Sequence, residues 1–189
     1  MTHPARPLRA DARRNRERLL EAALKAFSAE PAGEVSLERL ARDAGVGIGT
    51  LYRHFPTREA LIEEVYRAEL ARICDAAPRL LTEHPPAEAL RTWMDGYIDY
   101  LAAKRGLAEA LQAVIAAGGT PFAHSRDRLV GAVTQFLRAG AGAGLRTDVD
   151  PLDVLTALSG ISLSAGAPQQ RTQAGRLLDL LVDGLRYGG

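Results

Sequence analysis

Apolar positions recur along this chain at intervals of three and four residues, and proline, glycine or a small polar residue resets the pattern at each break. Over residues 12–29, Leu20, Ala23, Leu24 and Phe27 share one helical face, and Pro31 and Gly33 end the run. Ser36 is a good N-cap for a short helix carrying Leu37, Leu40, Ala41 and Ala44. Gly45 is placed to end that helix in a left-handed conformation. A third short helix is predicted from about Gly47 to His54, where Pro56 stops it. Thr57 then caps a longer helix over 57–77 with Leu61, Ile62, Val65, Tyr66, Leu70 and Ile73 inward, and Pro78 is expected to bend or end it.

The pattern resumes after His84-Pro85-Pro86. Helices are predicted over 87–103, with Leu90, Trp93, Met94, Tyr97, Ile98 and Leu101, and over 107–117, with Leu107, Leu111, Val114 and Ile115. Residues 118–121 read as a loop, and Ser125 is expected to cap a helix that dissolves at Gly140, Gly142 and Gly144. Asp150-Pro151 joins an N-cap to a proline in the first turn, a strong helix start. A last helix covers about 169–186, with Leu177, Leu178, Leu181 and Leu185 inward, before Gly188-Gly189. No segment alternates with a period of two between hairpin turns, so the fold class is all-α with about nine helices.

Composition narrows the setting. The 189 residues are long enough to bury a real core, and no apolar run approaches a membrane span. The N-terminus is polar and arginine-rich where a secretory signal would be apolar. Cys74 stands alone, which excludes a disulfide framework and points to a cytoplasmic protein. Residues 1–60 carry eleven Lys/Arg against eight Asp/Glu, and the remainder carries thirteen against fifteen. The excess is sharpest in Arg6, Arg9, Arg13, Arg14, Arg16 and Arg18, opposed only by Asp11 and Glu17. Residues 1–12 therefore read as a basic disordered arm suited to a polyanion.

Three short helices followed by a long one, with a tight turn between the second and third, is the layout of a helix-turn-helix. Gly45 supplies the turn, while Gly47 and Gly49 strip bulk from the start of the third helix so that backbone can approach phosphates. Each glycine is expected to cost about 0.8–1.0 kcal/mol relative to alanine. Leu51 and Phe55 point inward, which leaves Thr50, Tyr52, Arg53 and His54 on outer faces with groups that hydrogen-bond phosphate or base edges. Arg58 lies in the first turn of the next helix, where a cation opposes the helix dipole and a nearby phosphate would explain it.

Residues 13–71, above all SLERLARDAGVGIGTLYRHFPTREALIEEV, resemble the DNA-binding domain of TetR-family transcriptional regulators. The matching positions are Ala41, Gly45-Val46, Thr50-Leu51-Tyr52, His54-Phe55 and Leu61 in one register. The resemblance implies an N-terminal helix-turn-helix domain over 13–71 and a C-terminal helical ligand-binding and dimerisation domain over 72–189. It implies a homodimeric repressor that binds a palindromic double-stranded operator and is released by a small effector. On the family pattern Thr50, Tyr52 and His54 contact the DNA backbone or nearby bases, and Arg58 replaces the usual lysine phosphate contact. Ser36 and Leu37 fall where the second helix meets the backbone, and Ile48 stands where a variable base-reading residue is expected. An isoleucine there suggests apolar contact, as with a thymine methyl.

In the C-terminal region, Trp93, Met94, Tyr97, Tyr100 and Leu101 crowd one helix, Leu111 and Ile115 come from the next, and Phe122 and Phe136 follow. This supply of aromatic residues points to a pocket for a small apolar or aromatic effector, with Tyr97, Tyr100, Gln112 and His124 as polar contacts. Plain core is the competing reading. Residues 151–186 would supply a four-helix dimer interface, where Ser159, Gly160, Ser162, Ser164 and Ala165 permit close packing. Gly160-Ile161-Ser162-Leu163-Ser164 nearly spells a nucleophile elbow, yet its last glycine is missing and no strand precedes it. The four histidines lack metal-ligand spacing, so no enzyme, metal or cofactor is expected. The alternative function is a non-catalytic helical adaptor that binds protein through its first lobe.

Overall fold

The computed structural model describes the backbone of residues 5–31, 33–164 and 168–186, with side chains in these ranges except 5–9 and 168–169. Among the described residues the chain forms nine helices and no strand. They fall into two units, residues 1–68 with 103–121 and residues 69–102 with 122–189. The expected division at 71/72 lies close to the 68/69 boundary. The first unit also takes in residues 103–121. One reason is local: Gly106 lies so close to Ser28 that an added Cβ would stand 2.9 Å from the serine Cβ.

The first unit contains α1 (Ala5–Ala29), α2 (Leu37–Asp43), α3 (Ile48–His54), the start of α4 (Arg58–Glu83), the end of α5 (Pro86–Gly106), and α6 (Ala108–Ala116). Leu19, Ala23 and Phe27 of α1 are buried, as are Leu37 and Leu40 of α2, Leu51 of α3 and Leu61, Ile62 and Val65 of α4. These are the i, i+3, i+4 positions of each apolar stripe, and each large side chain withdrawn from water contributes about 1.5–3 kcal/mol. Of the segment 1–12 expected as a disordered arm, the described part lies in α1, which begins at Ala5. Pro7 falls in the first turn, where its missing N–H costs no helical bond. Arg14 pairs with Asp11, and Arg18 donates to Asn15 at 2.6 Å, so polar partners one turn apart support this end of the helix. Residues 1–4, and the side chains of Arg6 and Arg9, lie outside the described residues.

The second unit contains the rest of α4, most of α5, α7 (Ser125–Gly140), α8 (Pro151–Leu163) and α9 (Pro168–Leu185). α4 passes through Pro78 and continues to Glu83, beyond the end expected at 77. The ring removes one helical donor at a cost of about 3 kcal/mol. Burial of Ala77 and Leu80 on either side of it offsets that loss. α7 packs on α8, and α8 on α9. Asp150 caps α8 as expected, its carboxylate accepting the Leu152 amide at 2.8 Å with Pro151 in the first turn. The N-cap of α7 is His124, with φ 61°, and not Ser125, which is buried inside the first turn. Histidine is among the non-glycine residues that tolerate this left-handed region.

Candidate nucleic-acid interface

The interface is assembled from the turn outward. Gly45 has φ 67°, its amide donates to the Arg42 carbonyl at 2.9 Å, and the Val46 amide donates to the Ala41 carbonyl at 2.9 Å. This pair of bonds is a Schellman motif, which satisfies the last carbonyls of α2 and turns the chain sharply into α3. At the other end of α2, Ser36 accepts the Arg39 amide at 3.2 Å and its own hydroxyl donates to Glu38 at 3.0 Å. Hydrogen bonds from its own amide and from Ser36 hold the Glu38 carboxyl below the usual carboxylate range, with the Arg58 charge assisting.

Gly47, with φ −74° and ψ 148°, is the N-cap of α3 and carries no side chain. A Cβ built on Gly47 or Gly49 would meet no heavy atom within 4 Å. Neither residue has positive φ, so neither the backbone nor the packing of this protein calls for glycine there. Gly47 costs less than expected, because glycine at an N-cap loses only a few tenths of a kcal/mol relative to a polar cap. Leu51 and Phe55 are buried and anchor the helix. On the opposite side Tyr52 is 47% exposed, Ile48 is 36% exposed, and Arg53 is exposed. Thr50 and His54 are half-buried, as is Ser36, while Leu37 is buried. The structure thus gathers Gly47, Ile48, Thr50, Tyr52, Arg53 and His54 on one short helix, with Ser36 at the start of its neighbour.

Arg58, expected as a phosphate contact, has partners within the protein. Its guanidinium Nη2 donates to the Val35 carbonyl at 2.6 Å, and its Cζ lies 5.8 Å from the centre of the Phe27 ring. The cation that opposes the α4 dipole is therefore matched by a carbonyl and a π-face within the protein. Sequence reasoning also missed Arg16, which pairs with Glu64 at 3.0 Å and lies 5.7 Å from the Phe55 ring centre. The signal the sequence offered was its place in the run of N-terminal arginines, read as a charge excess suited to a polyanion.

The expected effector residues divide: Leu111, Gln112 and Ile115 belong to the first unit and the others to the second. Trp93, Met94, Tyr97, Tyr100 and Phe136 are buried. The Trp93 ring stacks on Tyr97 with centroids 5.4 Å apart and tilts against Phe136 at 5.8 Å, while Tyr97 lies 5.8 Å from Tyr100. The Trp93 indole N–H donates to the Ile73 carbonyl of α4 at 2.8 Å. Leu111 is also buried and Leu101 half-buried, whereas Gln112, Ile115, Phe122 and His124 are exposed. The polar contacts expected from Gln112 and His124 inside a cavity are thus at the surface in this structure. Asp95 and Asp99 both face Arg171, at 3.4 and 3.2 Å, and Arg91 bridges Asp95 to Asp179. These ion pairs tie α5 to α9.

Among the described residues no His/Cys/Asp/Glu group could hold a metal ion, and no helix is long and apolar enough to cross a membrane.

The model of the family described as bacterial regulatory proteins, tetR family, matches residues 19–65. A second, described as the C-terminal domain of SbtR-like transcriptional regulators, matches residues 85–187. An HTH-type transcriptional regulator from Staphylococcus aureus is 29% identical over 107 residues, 56% of this chain and 58% of that protein. The chain thus matches less than two thirds of this curated relative's length. The crystal structure of a TetR transcriptional regulator from Streptomyces coelicolor superposes with a TM-score of 0.86 at 53% identity, covering 92% of this chain and 99% of that one. A TetR transcription regulatory protein from Mycobacterium vanbaalenii gives 0.77 at 34% identity, covering 96% and 100%.

Proposed function

The chain belongs to the TetR family of bacterial regulatory proteins, and on that premise we propose that it is a homodimeric, effector-released repressor of transcription. The observation that carries the DNA half of this reading is the empty space around Gly47 and Gly49 at the head of a helix whose outer face is Tyr52, Arg53 and Ile48. Bare backbone amides there suit phosphate, and the side chains beyond suit base edges and the thymine methyl. Ser36, Thr50 and His54 complete the backbone contacts.

Pairing of two chains rests on α8 and α9. Leu163 is 80% exposed and Leu180 is 67% exposed, and each stands on an outward stripe of small or polar residues, Thr156-Ser159-Gly160 on α8 and Gln173-Gly184 on α9. Large leucines so placed lose water on association, at about 25 cal/mol per Å² of apolar surface. A two-fold pair then presents two α3 helices to half-sites about 34 Å apart, or a multiple of that spacing, on a palindromic operator.

The effector is a small apolar or aromatic molecule that inserts beside the Trp93, Tyr97, Tyr100 and Phe136 rings. Trp93 is bonded to α4, and α4 is one helix that contributes to both units, so displacement of the indole biases the placement of the reading heads. A coupling of about 1–3 kcal/mol would change operator affinity 5–150-fold. Selection of bound sequences from random duplex DNA by the purified protein tests the reading. Recovery of palindromic sites supports it, and failure to enrich any sequence in dilute buffer refutes it.

A further inference from the structure

The proposed DNA surface rests on α2 as well as α3, and what orients α2 is the chain just before its cap. Val35 is buried, Ser36 is the N-cap, and the Leu40 amide donates to the Ser36 carbonyl at 3.0 Å. The donor that reaches the Val35 carbonyl comes from far along the chain: Arg58 Nη2, at 2.6 Å, from the first turn of α4. The same guanidinium lies 5.8 Å from the centre of the Phe27 ring, which is itself buried near the end of α1. Three segments meet at one planar cation: the end of α1, the approach to α2, and the start of α4. A guanidinium can donate in its plane while a ring covers its face, and an ammonium cannot do both with the same geometry.

We infer that Arg58 is a positioning residue for the DNA-reading head, clamping Val35 and Phe27 so that Ser36 and the N-terminus of α2 are presented to the DNA backbone, instead of contacting phosphate itself. The inference rests on the DNA reading of α2 and α3 given above. It also accounts for a cation at the unfavourable end of the α4 dipole without calling on an external anion. Thr57 already caps α4 by accepting the Ala60 amide at 3.1 Å, so the role left to Arg58 is to tie this helix start to the segment entering α2.

Salt dependence separates positioning from phosphate contact, because each phosphate contact contributes about −0.9 to the slope of log affinity against log salt. The experiment measures fluorescence anisotropy of a labelled random-sequence DNA duplex across a salt titration, for the full chain, Arg58→Met and Phe27→Leu. It is paired with amide hydrogen exchange in the absence of DNA. The clamp predicts that Arg58→Met binds roughly tenfold more weakly, the equilibrium worth of one charged hydrogen bond, that Phe27→Leu binds more weakly through loss of the ring over the guanidinium, and that both keep the slope of the parent. It also predicts exchange roughly tenfold faster at Leu40 and the following α2 amides, relative to amides in α4. Combining the substitutions should cost less than the sum of the two, since both break one clamp. A slope shallower by about 0.9 in Arg58→Met, or unchanged α2 exchange in both variants, overturns the inference. If the parent chain ignores duplex DNA in dilute buffer, the DNA reading fails, while the exchange measurement still decides whether the clamp exists.

Discussion

Replacing Gly49 with alanine should strengthen the fold and weaken DNA binding at the same time. Gly49 is the second residue of α3, its φ is not positive, and a Cβ built on it meets no heavy atom within 4 Å. The methyl therefore brings no internal clash, and the unfolded chain loses the freedom particular to glycine. The expected gain is about 0.4–1 kcal/mol, or roughly 1–4 °C in Tm for a chain of this size. On DNA the same methyl points into the space reserved for close approach, and intrusion of one methyl into a packed contact costs about 1–3 kcal/mol. Affinity for duplex DNA should then fall between about fivefold and 150-fold. Urea denaturation monitored by circular dichroism gives the first quantity, and anisotropy with labelled duplex gives the second. A variant that is stabilised yet binds DNA like the parent would falsify the claim that the glycine is kept for the partner. A destabilised variant would show that the space around α3 is not open.

Other outcomes follow from separate parts of the molecule. Leu180→Glu should convert a sedimenting dimer to a monomer while retaining the parent's helical circular dichroism, because the side chain is exposed within one chain; a dimer that survives removes α9 from the interface. Gly106→Ala should destabilise by about 1–3 kcal/mol in urea melts, since the new Cβ would lie 2.9 Å from the Ser28 Cβ and 3.3 Å from its Cα, and the backbone cannot rotate away. The Asp148 carboxyl is held down to about 2 by its hydrogen bonds from Arg146 and from its own backbone. Its folded value is below the ordinary 3.8, so its contribution to stability is complete above that pH and is lost as pH falls through about 2. Carbon-detected NMR titration should place it there, and Arg146→Gln should raise it toward the ordinary range.

Much of the reading head was legible because its signals are local. Ser36, Gly45 and Thr57 act on amides and carbonyls within a few residues of themselves, so their caps and turn follow from residue type and spacing alone. The inward stripe of α4 was legible for the same reason, since Leu61, Ile62, Val65, Leu70 and Ile73 repeat with the helical period. The ends of elements were less so. Pro78 reads as a bend or a stop, and burial of residues beyond it carries α4 through to Glu83. The start of α1 reads as a charged tail, although Asp11 and Asn15 give its arginines partners one turn away.

What no pattern could supply is the choice each long polar side chain makes among distant partners. Arg58 looks like a phosphate ligand by position, and within the protein its guanidinium reaches the Val35 carbonyl and the Phe27 ring, which lie 23 and 31 residues earlier in the chain. Arg16 joins Glu64, and Arg91 and Arg171 stitch α5 to α9, by contacts that exist only once the helices have packed. Periodicity records which face of a helix avoids water, a property of neighbours in sequence. Which guanidinium meets which carbonyl depends on the mutual placement of helices, and only the tertiary structure decides that.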